Sequence, residues 1–439
     1  MRLLDFMFVK LFKIFNTFEL ELLQSFILYL STKKLIKASS SKNNKNILIL
    51  YRAIGIADVQ VAFNNKKNTN FNFYFISRQY LRIIFDDFFS DKKFYDYHYK
   101  INKNLISSQK QYQKKLHRIL SYYKKFFKLD CILSFNPFYR IERELQNVAK
   151  LVNVKFICMH KESVNSLADN RVLEYLYKNK IDQFGGDLIL TYNHDEKEII
   201  LKSKFAKNNK VIVTGCARAD RSFKTIREKK VLDKNIVFFL VEDYRGFPEF
   251  FFKNESLLNK KKIFKQLKIK YNYPKHNWNR LNILTVKYLI EYAKKNSEVN
   301  VLIKGKSALK YNFMNRLNLP KNCKYTNCGF AQEYIEKSQL IINFNSTVIL
   351  EAMLANRNII IPFFYKDKKR FKKNIINFDE KLVVYSKEDF MKRINNLLSH
   401  NNKDSIKLKN YKEILKKYIG NNDGKSSERV RKVFSNFLK

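Results

Sequence analysis

Short apolar runs, each followed by a stretch whose apolar positions fall at helical spacing, recur along most of this chain. In the first half the runs are ILILY (47–51), FNFYFIS (71–77), the start of DCILSFNPFYR (130–140), VKFICMHKES (154–163), DLILTYN (187–193) and KVIVTG (210–215). Their length and their β-branched and aromatic content predict buried parallel strands. IERELQNVAKLV, RVLEYLYKNK and HDEKEIILKSKF predict helices between them, the last started by Asn193 or His194. Residues 92–128 are rich in Lys and Tyr and predict one or two helices, with Tyr112, Leu116, Ile119 and Leu120 on an apolar face. In the second half NIVFFLVEDY (235–244), VNVLIKGKS (299–307), LIINF (340–344), NIIIPFF (358–364) and KLVVYS (381–386) repeat the pattern. LNILTVKYLIEYAKKN, FAQEYIEKS and EDFMKRINNLLS supply the helices there, and Lys260–Lys275 predicts a basic helical insertion. Alternation of this kind argues an α/β protein with parallel sheets.

Polar breaks divide the pattern. SSSKNNKN (39–46) and REKKVLDKN (227–235) read as linkers. The expected organisation is an amphipathic helical segment over 1–40, a Rossmann-like domain over 41–226, a second over 227–404, and terminal helices over 405–439. The N-terminal segment is dense in apolar residues, yet Asp5, Lys10, Lys13, Glu19 and Glu21 interrupt it. A spanning helix needs a longer uncharged run, and no small-residue cleavage site marks a signal peptide. A pair of amphipathic helices fits, lying either in a membrane interface or against the protein body.

Composition narrows the partners. The chain has 439 residues, enough for two ordinary domains, and its 45% hydrophobic content can fill both cores. The formal charge of +46 raises nucleic acid as a partner. However, Lys is spread along the whole chain, and Asn, Ile, Phe and Tyr are abundant too, as the codons of an A/T-rich genome would give. No nucleic-acid-binding motif of the usual kinds accompanies it. The balance therefore falls against nucleic acid and toward an anionic membrane surface. The five cysteines (131, 158, 216, 323 and 328) lack metal-ligand spacing, so no metal site or cofactor is expected and a reducing cytoplasm fits.

Candidate chemistry centres on QLIINFNSTVILEAMLANRNIIIPFF (339–364), a strand, a cap, a helix and a second strand. Asn345, Ser346 and Thr347 can each cap the helix start, and Asn356 can cap its end. The cap loop lies at the carboxyl end of a strand, where open α/β sheets bind ligands, and a helix N-terminus there suits a phosphate. Glu351, one turn into the helix, can accept hydrogen bonds from sugar hydroxyls. The unit resembles the C-terminal nucleotide-sugar domain of GT-B glycosyltransferases, in the surface-polysaccharide branch near the glycerophosphotransferases of teichoic-acid synthesis and the UDP-N-acetylglucosamine 2-epimerases. The residues carrying the likeness are the Ser346–Thr347 pair, Glu351 and Pro362. VTGCARADR (213–221) resembles the turn that closes the N-terminal domain in the same group, through Gly215, Arg218 and Asp220. The competing reading is a capped core helix in an unrelated Rossmann-like protein.

The resemblance implies a GT-B architecture, two Rossmann-like domains facing a cleft, and roles for particular residues. His160, delivered at the end of VKFICMHKES, corresponds in place to the His of an "HG" loop that acts as base in teichoic-acid polymerases, although Lys161 replaces the Gly. An imidazole there can take a proton from an attacking hydroxyl; Glu162, and then Asp58, are the next candidates. Arg245, in the loop after 235–244, is a candidate phosphate clamp. Lys304 stands where the resembling families carry a "K-x-H-P" loop, with the His and Pro replaced, and remains a candidate pyrophosphate ligand. Gly215, Arg218, Asn345, Ser346, Thr347 and Glu351 complete the expected nucleotide-sugar site. No Asp-x-Asp motif lies between strands, which argues against a GT-A enzyme; a GT-B enzyme stabilises its leaving diphosphate with helix dipoles and basic side chains. The expected function is metal-independent transfer of a sugar from a nucleotide-sugar donor to a surface-glycan or lipid-linked acceptor, at the cytoplasmic face of the membrane. Alternatives on the same fold are a glycerophosphotransferase or a nucleotide-sugar 2-epimerase. A non-catalytic basic protein binding membrane or nucleic acid is the third.

Overall fold

The structure is a computed structural model. It describes residues 2–39, 43–64, 70–89, 105–161, 164–221, 234–243, 251–252, 255–269, 278–306, 309–344, 346–364, 379–399, 411–421 and 423–439. The chain forms two compact units. The first comprises Met1–Ser163, Leu173–Arg218 and Lys425–Lys439, and the second Val164–Val172 and Ala219–Gly424.

The first unit is built on seven strands: β1 (Lys33–Ile36), β2 (Lys45–Leu50), β3 (Phe71–Ile76), β4 (Cys131–Ser134), β5 (Lys155–Met159), β6 (Leu188–Thr191) and β7 (Val211–Val213). Their order is β1-β3-β2-β4-β5-β6-β7, and every pair except β1–β3 is parallel. The apolar runs become the central strands because both faces are covered: Ile47, Ile49, Ile132, Leu133, Phe156 and Ile157 are fully buried. β1 differs from the helical reading of residues 1–40. After the helices Arg2–Thr17 and Glu21–Ser31, KKLI turns into an antiparallel edge strand against β3. Its two lysines suit an edge, where charge discourages further strand pairing.

The N-terminal helices pack on the helix Ile106–Phe127. Ser25 Oγ donates to the carbonyl of Ile119 at 2.9 Å, Lys115 Nζ to that of Asn16 at 3.2 Å, and Phe12 is buried edge-on to Tyr80. Their opposite faces are open: Leu4, Phe6, Ile14, Phe18, Leu22 and Leu30 are exposed. No described helix is long and apolar enough to cross a membrane.

The last helix, Ser426–Phe437, belongs to the first unit, whereas the helix Tyr411–Ile419 falls in the second. Val430 and Phe434 enter the first core, and the Phe434 ring lies 5.2 Å from Phe63, 6.1 Å from Phe71 and 6.2 Å from Phe73. Gly215 makes the approach possible. Its φ of +85° is left-handed, and a Cβ there would sit 2.4 Å from Ser426 Oγ.

The second unit has six strands: β8 (Asn235–Phe239), β9 (Asn300–Lys304), β10 (Cys323–Thr326), β11 (Leu340–Ile342), β12 (Asn358–Pro362) and β13 (Val383–Val384). The order is β10-β9-β8-β11-β12-β13, parallel throughout. The helix Trp278–Lys295 buries Trp278, Leu281, Val286 and Leu289, which recur at helical spacing. Both sheets are thus doubly wound and Rossmann-like, as the alternation of runs and helices predicts.

Candidate functional site

In the second unit the chain order reverses between β8 and β11. From β8 the chain steps outward to β9 and β10, then returns to the other side of β8 and continues to β12 and β13. The crevice beyond the carboxyl ends of two such strands is where open α/β sheets hold ligands. Two buried asparagines set the loops that leave them. Asn343, directly after β11, donates through Nδ2 to the Phe239 carbonyl at 2.8 Å, and its Oδ1 is buried without a hydrogen-bond partner among the described residues. Asn282 clamps the β8 exit from both sides, donating to the Val241 carbonyl at 2.8 Å and accepting from the Val241 N–H at 3.2 Å. Burial pushes the neighbouring Asp243 carboxyl above the ordinary carboxylate value, opposed by a backbone hydrogen bond at Asn279.

The helix Thr347–Leu354 starts at this point. Ser346 is its cap, in extended conformation, with Oγ accepting from the Val348 N–H at 3.2 Å. The helix ends as the sequence indicates: Asn356 has φ +50°, its N–H reaches the Met353 carbonyl, and the Arg357 N–H reaches that of Ala352. That pair of bonds is the Schellman arrangement. Ile349, Leu350 and Ala352 fix the helix in the core, while Ser346, Thr347 and Glu351 are half-buried. An eight-residue helix held this firmly presents its N-terminal N–H groups and dipole in a fixed direction.

Lys304 ends β9, on the far side of β8 from β11. Its Nζ donates to the Gly305 carbonyl at 2.6 Å and lies 5.7 Å from the Tyr334 ring centre. The side chain is buried, and desolvation pushes its ammonium below the ordinary lysine value. Lys306, two residues on, is exposed and 3.5 Å from the Glu242 carboxylate at the β8 exit. Arg245 and Asn345 lie outside the described residues.

The remaining candidates belong to the first unit. His160 follows β5 directly, with its backbone N–H bonded to the Leu190 carbonyl of β6. The imidazole is fully buried, packed edge-on to Phe138 with centroids 5.9 Å apart. Nδ1 lies 3.1 Å from Glu196 Oε1, and Tyr177 donates its hydroxyl to the same oxygen at 3.2 Å. The Nδ1 contact is electrostatic, without the alignment of a hydrogen bond, and Nε2 has no hydrogen-bond partner among the described residues. Glu162 lies outside the described residues.

Arg218 and Gly215 form a separate cluster. Arg218 Nη1 donates to Asp58 Oδ2 at 2.9 Å and to the Tyr192 hydroxyl at 2.6 Å, and its backbone N–H reaches Asp58 Oδ1 at 2.9 Å. Asp58 is buried, so this pair ties the helix Ala53–Phe63 to the chain after β7. Asp58 is thereby committed to an ion pair, and Gly215 to the close approach of Ser426.

The structure brings Ser346, Thr347 and Glu351 together on one helix and its cap, and places Lys304 two strands away. Asn343, Asn282, Glu196 and Tyr177 are not among the sequence candidates. An Asn on the apolar face of LNILTVKYL was a readable signal for Asn282. Nothing in HDEKE distinguished Glu196 from its solvated neighbours.

No protein-family model and no curated protein matches this chain at a significant level. Solved structures do. The wall teichoic acid polymerase TagF superposes with a TM-score of 0.51 at 12% identity, covering 99% of this chain and 98% of that one. The chain has the GT-B fold. A second TagF structure gives a TM-score of 0.50 at 13% identity over the same coverage. The UDP-GlcNAc 2-epimerase from Neisseria meningitidis bound to UDP-GlcNAc gives 0.46 at 13% identity, covering 89% of this chain and all of that one.

Proposed function

We propose that this GT-B protein is a metal-independent glycosyltransferase that moves a sugar from a nucleotide-sugar donor to a surface-polysaccharide or lipid-linked acceptor. The observation that carries the reading is the Ser346-capped helix at the strand-order reversal of the second unit, beside the partnerless Asn343 Oδ1. Its N-terminal N–H groups would hold the donor's phosphates, with Ser346 and Thr347 adding hydroxyl donors and Glu351 accepting from ribose or sugar hydroxyls. Arg245 and Asn345 remain candidates from the sequence for an added cation and amide. Lys304 would contribute a positive field from its buried position rather than a direct contact, since its ammonium is held by Gly305. As charge develops on the leaving diphosphate, a fixed helix dipole stabilises it without reorganisation. In the first unit, His160 Nε2 would take the acceptor hydroxyl's proton while Glu196 stabilises the imidazolium that forms. Glu162 is the second candidate base.

The test is calorimetric. Replacing Ser346 and Thr347 together by alanine should weaken donor binding by about 1–3 kcal/mol, the usual loss for hydrogen bonds to a charged group. Donor affinity equal to wild type would remove the nucleotide from this helix.

The partner surface follows from the N-terminal helices. Their exposed Leu4, Phe6, Ile14, Phe18, Leu22 and Leu30 would enter the headgroup boundary of an anionic membrane, with Lys10 and Lys13 on its phosphates. On this reading the protein would sit at the inner face of the cytoplasmic membrane. Anionic vesicles should bind the wild-type protein and release Phe6→Ser/Phe18→Ser at least tenfold more readily in sedimentation. Equal retention of the two would show that the open face has another use.

A further inference from the structure

We infer that Arg52 and Arg78 form a phosphate subsite on the first unit, and that the acceptor therefore carries a phosphate group. The inference rests on the transferase reading for the word acceptor, but not for the subsite itself.

The first sheet has its own reversal of strand order, between β2 and β4: from β2 the chain steps to β3 on one side, then returns to β4 on the other. Arg52 is the residue preceding the helix Ala53–Phe63, just past β2, and Arg78 precedes the helix Gln79–Phe88, just past β3. Tyr139 lies beyond β4, immediately before the helix Arg140–Leu151. Three strand exits thus deliver their side chains to one place. The Arg52 guanidinium carbon is 4.2 Å from the Tyr139 ring centre, and that of Arg78 is 5.1 Å from the same centre.

The charges do not cancel. Arg78 is paired with Glu142, which is buried and also accepts from Ser134 Oγ at 2.5 Å. Glu142 thereby fixes Arg78. Arg52 has no carboxylate partner among the described residues, and its Nε is buried without an acceptor. A guanidinium stacked on an aromatic ring keeps its in-plane N–H groups free for a bidentate acceptor. One spare positive charge, a partnerless buried donor and a second guanidinium on the same ring suit a phosphate, whose oxygens match the fork geometry. A neutral hydroxyl would leave the excess charge unanswered.

The subsite is tested by titrating the full-length protein with four probes: farnesyl phosphate and farnesol for a lipid-borne phosphate, glycerol 3-phosphate and glycerol for a soluble one. At least one phosphate probe should bind at least tenfold more tightly than its alcohol. The pair that discriminates identifies the source. Arg52→Gln should weaken that probe about 10- to 100-fold, the effect of losing a charged hydrogen-bonding partner, and leave the melting temperature and nucleotide binding unchanged. Arg52→Lys should restore only part of the affinity, because an ammonium cannot make the fork. Lys202→Gln, at an exposed lysine on the same unit, controls for net charge and should have no effect. Equal binding of phosphates and alcohols, or an equal loss in the Arg52 and Lys202 variants, would overturn the assignment. If the phosphate probe binds through Arg52 while no nucleotide binds the protein, the subsite stands and the transferase reading fails.

Discussion

His160→Ala should lower turnover by about 10²–10⁴ while donor affinity stays at the wild-type value, the range expected for removing a general base. The reasoning joins chemistry to placement. The imidazole sits on the first unit, while the groups proposed to bind the donor sit on the second, so its loss should act on the chemical step alone. Glu196 sharpens the test. Its carboxylate is 3.1 Å from Nδ1 and shared with the Tyr177 hydroxyl, so Glu196→Gln should reduce turnover in the same direction by removing the charge that stabilises imidazolium. A purely structural imidazole would behave differently. Because it is fully buried against Phe138, its removal would lower the melting temperature but spare turnover measured well below it. His160→Asn separates the two further, since it can hydrogen-bond but cannot accept a proton at neutral pH. Near-wild-type turnover in both His160 variants would rule out the base and leave Glu162 as the candidate.

The second large effect is on stability. Phe434→Ala should destabilise the first unit by about 3–5 kcal/mol, the usual cost of deleting a core phenyl ring. The ring is completely buried among Phe63, Phe71 and Phe73, in the same core as Val430 and Leu438. Chemical denaturation followed by circular dichroism would show the loss as an early transition. A loss below about 1 kcal/mol would mean that the helix Ser426–Phe437 is peripheral to the fold.

The fold was legible where the environment was uniform. β11 and β12 read as LII and NIIIP because both faces of a central parallel strand are buried, so apolar residues run on without alternation. β1 was not legible. KKLI is short, half polar and follows two helices, and only the neighbouring β3 makes it a strand. Within the candidate site, Ser346 and Asn356 were readable because caps are local: their chemistry is decided within a few residues. Glu196, Tyr177 and Arg78 were not, because their partners lie 36, 19 and 64 positions away in the chain and meet only once the sheet is assembled. Buried charge is invisible in the same way. The helix Arg140–Leu151 carries buried Glu142, Arg143 and Glu144, which a sequence pattern alone assigns to solvent.

The claim at the centre is that the capped helix of the second unit holds a nucleotide-sugar. Thermal-shift measurement of the wild-type chain against CDP-, UDP-, GDP- and CMP-linked donors tests it most directly, because a ligand that binds only the folded state raises the melting temperature with concentration. One nucleotide family should stabilise the protein, and the shift should largely vanish in the Ser346→Ala/Thr347→Ala variant. Absence of any shift with every nucleotide and nucleotide-linked donor, at concentrations up to millimolar, would contradict it.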